Sequence, residues 1–484
     1  MQYKWTVLTV TTVGVLMSGI DSRIVVIGLP IVAAALHADA EQAIWFTQSY
    51  VIGSTIALLF IGRVSDMAGR VKIYNIGFAI FTVGSFFTSI SPTPDLFIAS
   101  RIFQGFGSAA LFANSAAIIT DAFPSGELGK ALGINQVAFR AGSMLGLTLS
   151  GLILAFLEWR FLFYVNIPVG IFGTLWAHWR LKEQSRPERK TAMDWVGFAT
   201  FTAFIVSLLL ALTFAAYGGT ETLVVAALGA VSAASLVLFV RSERKHPYPL
   251  LDLSLLRIRE FTGGVLTQMI SAIAWGAFIL IISLYLQLVV GLSPLQAGIE
   301  ILPFDVAMLS LGPLSGYLSD RFGTRPFTTA GLAVISVSLF AMSEITPQTS
   351  YLVILGLLVL GGAGMGLFAS PNMSSIMGSV PVSRRGVASG LRGTFFNVGF
   401  LLSFNLVIIV LTFYLPYSLI TAIIASAAGA TVTVADKALF CSALDMVFLF
   451  MAVVNTTSII PSLLRGGRVV SDSNTGTAPE AVDL

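Results

Sequence analysis

Long apolar stretches, interrupted at short intervals by small clusters of charge, run almost the whole length of this 484-residue chain. A helix that crosses a bilayer needs about twenty mostly apolar residues. The pattern predicts fourteen such helices: 6–35, 44–61, 73–90, 96–121, 131–156, 162–179, 195–216, 223–240, 261–290, 295–318, 327–344, 351–378, 388–415 and 439–463. The stretch Ser418–Ala435 is apolar and uncharged but rich in Ala, Ser, Thr and Gly, and reads as an external hairpin. The fold class predicted is therefore an all-α membrane protein.

The positions of Lys and Arg set the orientation, because cytoplasmic loops carry the excess of basic residues. With the N-terminus inside, 21 of the 27 fall in inside segments and only Arg160 and Lys437 fall outside. The other four, Arg23, Arg101, Arg140 and Arg392, lie within spans. Both termini are thus expected on the cytoplasmic side of the plasma (inner) membrane. A fifteenth span at Ser418–Ala435 would carry Arg465 and Arg468 outside, which favours the hairpin.

Composition narrows the classes further. Hydrophobic residues make up 56% and charged residues 11%, against about 25% charged in a soluble domain. Lys and Arg sit in scattered clusters, not along a stripe, so no nucleic-acid partner is expected. The single cysteine, Cys441, excludes an intramolecular disulfide and a Cys-rich metal site. The three histidines, His37, His178 and His246, lack ligand spacing. No nucleophile elbow and no phosphate-binding GxxxxGK[ST] occurs. Neither an enzyme nor a metal or cofactor site is expected. The first apolar stretch contains Asp21 and Arg23 and is read as a retained span, not a cleaved signal.

An internal repeat is visible in the glycines. A shift of 257 residues aligns Gly105 with Gly362, Gly107 with Gly364, Gly129 with Gly386, Gly133 with Gly390 and Gly142 with Gly399. A shift of 254 aligns Gly62, Asp66 and Gly69 with Gly316, Asp320 and Gly323. Two six-helix halves with two extra central helices account for both shifts. The expected division is 1–180 and 261–463 for the halves, the latter carrying the hairpin near 416–438. The inserted pair and its basic flanks occupy 181–260, and 464–484 is a cytoplasmic tail.

The loop Gly62-Arg63-Val64-Ser65-Asp66-Met67-Ala68-Gly69-Arg70-Val71-Lys72 joins the second and third spans and resembles the signature loop of the major facilitator superfamily. Its glycines suit a tight turn and close helix approach, Asp66 can face a helix N-terminus, and Arg70 can pair with Asp121 at the end of span 4. Three further stretches are similar to the fourteen-span drug/proton antiporter branch: Ile20–Pro30 with Asp21, Arg101-Ile102-Phe103-Gln104-Gly105 in span 4, and Trp159–Gly170 at span 6. Tyr285-Leu286-Gln287 and Leu302-Pro303 continue the similarity. One departure stands out: Gly142–Gly151 keeps the small residues of the branch's fifth-span motif but not its prolines, and Arg140 precedes it.

The resemblance implies a major facilitator fold and a proton-coupled secondary transporter, of multidrug-efflux type, that exports small amphiphilic organic compounds by alternating access. It would act as a monomer, with substrate, protons and lipid as its only partners and the proton gradient as its energy source. Two alternatives stay open: a proton-coupled importer of a small nutrient on the same fold, and a membrane sensor that does not transport.

Ionisable groups at membrane depth are costly, so they pair or line a cavity. The first six spans carry Asp21, Arg23, Arg101 and Arg140, net +2, and the last six carry Glu300, Asp305, Asp445 and Arg392, net −2. Two readings remain: structural ion pairs, or opposite charges facing across a central cavity. Asp21 and Arg23 are two residues apart, on nearly opposite helix faces, so each needs a partner elsewhere. Asp21 and Asp305 are the candidate proton carriers, with Asp21 expected to exchange a proton for a cationic substrate. Gln104, Gln268, Trp275, Phe278 and Gln287 are the candidate substrate-cavity residues, as polar anchors and aromatic walls.

Overall fold

The computed structural model describes residues 3–184, 193–217, 222–247, 249–381, 384–416, 419–420 and 434–465. Among these residues the chain is helical throughout, without strands, and fourteen helices are long and apolar enough to cross a membrane. We number them α1 Tyr3–Ala35, α2 Ala40–Ala68, α3 Arg70–Ile90, α4 Pro94–Ala122, α5 Ser125–Phe156 and α6 Phe161–Arg180 in the first half. The inserted pair is α7 Trp195–Tyr217 and α8 Thr222–Lys245. The second half is α9 Arg259–Val289, α10 Pro294–Phe322, α11 Thr324–Met342, α12 Tyr351–Gly378, α13 Arg385–Tyr414 and α14 Asp436–Leu464. Every predicted span is present, with ends shifted by a few residues. Most of the predicted hairpin (417–418 and 421–433) and of the tail (466–484) lies outside the described residues.

The repeat recurs in local chemistry. Asp39 and Gln42 form a reciprocal capping box at the start of α2, and Ser293 and Gln296, 254 residues later, form the same box at the start of α10. Both helices end at a glycine with positive φ, Gly69 at 103° and Gly323 at 88°, a conformation that side chains resist. Gly105 lies against the backbone of Tyr50, and its repeat mate Gly362 against the backbone of Phe304. Gly62, by contrast, is exposed with open space around it, so the close approach expected there is not made.

The inserted α7 fills a seam between the halves. Asn405 of α13 donates to Gln48 of α2 (3.3 Å) and accepts from Thr213 of α7 (2.9 Å). A polar knot ties down the loop ends of the pair: Ser242 donates to both oxygens of Asp194 (3.1 and 3.0 Å), and Leu251 N–H donates to Glu243 (2.9 Å).

The halves meet at the end of the molecule opposite the termini. There Gly151 of α5 lies on the backbone of Pro294 and Leu295, and Gly298 of α10 lies on the carbonyl of Leu147. One apolar cluster, including Leu29, Ile44, Ile281, Phe404 and Leu411, draws residues from both halves and seals that end. Toward the terminal end α5 and α10 part: Gly133, Gly312 and, on α13, Gly390 have open space where a side chain would stand. We read this parting, with Arg140 and Gly133 of α5 both exposed below the packed end, as a central cleft open on the side of the termini.

Candidate functional site

Asp21 stands on α1 beside two helices that bring donors to it, and it is 0% exposed. Arg101 of α4 donates to Asp21 Oδ2 at 2.5 Å. Gln104, one turn along α4, donates to Oδ1 at 2.9 Å, and Asn166 of α6 donates to the same oxygen at 2.8 Å. Every neighbour donates, as an acceptor-only carboxylate requires. Gln104 is satisfied at both ends, because its oxygen accepts from Arg101 (2.7 Å) and its nitrogen also reaches Ser85 of α3 (2.7 Å). The Arg101 guanidinium lies over the rings of Tyr50 (4.4 Å) and Phe163 (5.5 Å), which compensates part of its desolvation. Gln104 was expected to line a substrate cavity. It is fully buried instead, a strut of this network. The Asp21 carboxylate is likewise wholly buried among donors of its own half in this conformation, so the expected contact with a cationic substrate would require these helices to rearrange.

Two residues along α1, Arg23 points the other way. Its Nη1 donates to both carboxylate oxygens of Asp305 on α10, at 3.2 and 3.3 Å. This pair crosses from one half to the other. Asp305 is buried and Arg23 is one-quarter exposed to the cleft. Nearby, Gln287 donates to the carbonyl of Ile27 at 3.3 Å, a second tie between the halves. It sits on the π-helical turn Tyr285–Val289 that ends α9. Arg140 of α5 is exposed on the cleft side, and among the described residues its one hydrogen bond goes to the sulfur of Met308, at 3.8 Å. Arg23 and Asp305 lie within its electrostatic reach, and Arg140 in turn lies within reach of Arg392 on α13.

The aromatic candidates fall elsewhere. Phe278 is fully buried and Trp275 nearly so. Trp275 stacks on Phe304 with centroids 5.1 Å apart, and Phe278 packs on Phe304 and Phe448. They form the core of the second half, which corrects the expectation that they wall a cavity. Gln268 is half-buried on α9. Glu300 lies near the outer start of α10, where its carbonyl accepts from Tyr351 (3.5 Å). Among the described residues one buried oxygen of Asp445 on α14 finds no hydrogen-bond partner.

At the terminal end of the first half, Arg70 donates to Asp121 at 2.7 Å. The Glu183 carboxylate accepts from the N–H groups of Arg70 (3.1 Å) and Val71 (3.0 Å), and so caps α3. The Asp66 side chain lies outside the described residues. Sequence reasoning missed Glu183, Asn166 and Ser85; of these, only Asn166 lay inside a quoted motif. Arg465, counted among the loop cations, is buried at the end of α14. Burial pushes its guanidinium down to about 10, against the pull of Glu260.

The Major Facilitator Superfamily model matches residues 11–240, 184–404 and 264–464. The chain is 32% identical to the riboflavin transporter RibZ of Clostridioides difficile, over 83% of this chain and 87% of that one. It is 30% identical to the multidrug resistance protein Stp of Mycobacterium tuberculosis, over 85% of this chain and 76% of that one. Among solved structures, a bacterial homologue of the human lysosomal transporter Spinster, inward-facing and occupied, superposes with a TM-score of 0.68 at 15% identity. That superposition covers 96% of this chain and 97% of the other. The fold with its two ion-paired halves and these likenesses together lead to one conclusion: the chain belongs to the major facilitator superfamily and is a transporter, not an enzyme.

Proposed function

We propose that this transporter exports small amphiphilic organic compounds in exchange for protons, by alternating access of the central cleft. The observation that carries the reading is the Arg23–Asp305 pair, which joins the two halves at membrane depth. When the halves rock so that the outer end opens, the pair breaks. A carboxylate that loses its arginine at this depth is neutralised most cheaply by a proton, taken from the outer side. Closure of the outer end returns Arg23 to Asp305 and displaces that proton toward the terminal side. Substrate leaves through the outer opening during the same cycle. Asp21 is the second candidate carrier; its partners all belong to one half, so its proton exchange requires rearrangement within α1, α4 and α6.

This direction requires the termini to be cytoplasmic, in the plasma membrane. The basic residues support it: Arg63, Arg70, Lys72, Arg244, Lys245, Arg321 and Arg325 lie at helix ends on the terminal side. Reporter fusions at the N-terminus and after Arg468 are expected to be active only as cytoplasmic reporters. Periplasmic activity of the C-terminal fusion would restore 418–435 as a span.

The Arg70–Asp121 pair sits far from the cleft's charged residues and acts on the helix rearrangement, not on substrate. Arg70→Gln is expected to slow transport about tenfold, with substrate affinity unchanged within twofold. Loss of affinity in a folded variant would place this pair in the substrate site. The reading as a whole is tested by Asp305→Asn in proteoliposomes: substrate efflux should no longer respond to a pH gradient, while binding persists. A variant that still responds fully to the gradient would remove Asp305 from the coupling mechanism.

A further inference from the structure

The cleft's charges do not balance. Arg23 on α1 and Arg140 on α5 lie within electrostatic reach of Asp305 on α10, and Arg392 on α13 lies within reach of Arg140, so three guanidinium groups form a chain that meets one carboxylate. Among the described residues the hydrogen bonds of the Asp305 carboxylate come from Arg23, to both of its oxygens. The Met308 thioether is, among the described residues, the one hydrogen-bond partner of Arg140. Among the described residues Arg392 has no hydrogen bond or ion pair, and its Nε is buried without a partner. An uncompensated guanidinium at membrane depth is costly, and here two of them lie within electrostatic reach of each other. Two turns from Arg140 on the same face of α5, Gly133 is exposed with nothing beside it, and on α10 Gly312 stands one turn beyond Met308 with the same open space, which leaves room for a ligand. The other charged networks of the first half, Asp21 with Arg101 and Arg70 with Asp121, are already paired.

We infer that Arg140 and Arg392 form an anion-binding site in the cleft, and that the transported compound is an organic anion carrying a carboxylate, sulfonate or phosphate on an apolar body. The inference rests on the export reading above and specifies its substrate. The planar guanidinium suits such a group, because it offers paired N–H donors to two oxygens at once. The bound anion supplies the charge that the protein omits, so the loaded cleft is closer to neutral than the empty one when the halves close around it. Arg23 and Asp305 remain paired with each other and stay available for coupling.

The test uses three probes of one shape: 2-naphthoate, neutral 2-naphthamide and cationic 2-naphthylmethylammonium. Binding to the purified full-length transporter is measured by calorimetry. Naphthoate is expected to bind at least about tenfold more tightly than the other two, the value of one or two charge-assisted hydrogen bonds. Arg140→Gln and Arg392→Gln should each erase most of that preference, and Arg140→Lys and Arg392→Lys should retain part of it. The wild-type comparison alone decides if a Gln variant fails to fold. Equal affinity for the three probes, preference for the cation, or a preference that survives both Gln substitutions overturns the site. A pH gradient imposed on proteoliposomes separates this from the export reading. Arginine-dependent naphthoate binding without gradient-driven movement keeps the site and removes proton-coupled export. Gradient-driven movement of the amide and the naphthoate at equal affinity does the reverse.

Discussion

Asp21→Asn is expected to lose gradient-driven transport and to destabilise the first half by about 3–5 kcal/mol, the cost of leaving one partner of a buried ion pair alone. The physical reason is specific. Three donors converge on the carboxylate, and Arg101 is 1% exposed, with Asp21 as its one acidic partner among the described residues. The asparagine amide would turn a donor toward at least one of them. The double variant Asp21→Asn, Arg101→Gln removes the orphaned charge and should recover more than half of the lost stability without recovering transport. Thermal unfolding in detergent measures the first effect and proteoliposome flux the second. An unchanged melting temperature in Asp21→Asn would mean that the network carries little energy.

The second large effect concerns the tie between halves. Arg23→Gln removes the ionic link at the closed end of the cleft. A partly exposed pair contributes about 1 kcal/mol, so the balance between the two conformations should move roughly fivefold toward the outward-open form. A thiol placed at Leu147, which is fully buried where α5 meets α10, reports the opening. With Cys441 replaced by Ser, Leu147→Cys should be alkylated about fivefold faster from the outer side when Arg23 is Gln. The exchanged pair Arg23→Asp, Asp305→Arg should return the rate toward that of the parent. Equal alkylation rates in parent and Arg23→Gln would show that the pair does not hold the closed state.

Much of the architecture was legible because membrane helices must satisfy their own backbones, which makes apolar runs and basic loops nearly sufficient. The glycine offsets went further. Gly69 and Gly323 proved to be equivalent turns, and Gly105 and Gly362 equivalent crossings, since close backbone approach constrains residue type more than lipid contact does. The Arg70–Asp121 pair could also be read, because the two lie at ends of helices that must neighbour each other.

Side-chain facing could not be read. Where apolar residues cover every side of a helix, periodicity no longer separates the core face from the lipid face. Trp275 and Phe278 therefore looked like cavity walls and are instead the core of the second half. The Arg23–Asp305 contact spans 282 residues of sequence, and nothing local to either residue names the other. The excess positive charge of the cleft was hidden for a related reason: each half was counted separately, and the sum over all intramembrane charges was neutral. The structure redistributes that sum: among the described residues neither Asp445 nor Glu300 forms an ion pair with Arg23, Arg140 or Arg392.

The central claim is exchange of protons for an organic compound, and substrate flux in proteoliposomes, measured with and without an imposed pH gradient, tests it most directly. With protons supplied on the outer side, movement of substrate toward that side should run against its own concentration gradient and stop when an ionophore dissipates the pH difference. Identical flux with the gradient present and dissipated, in protein shown to bind the substrate, would contradict the account.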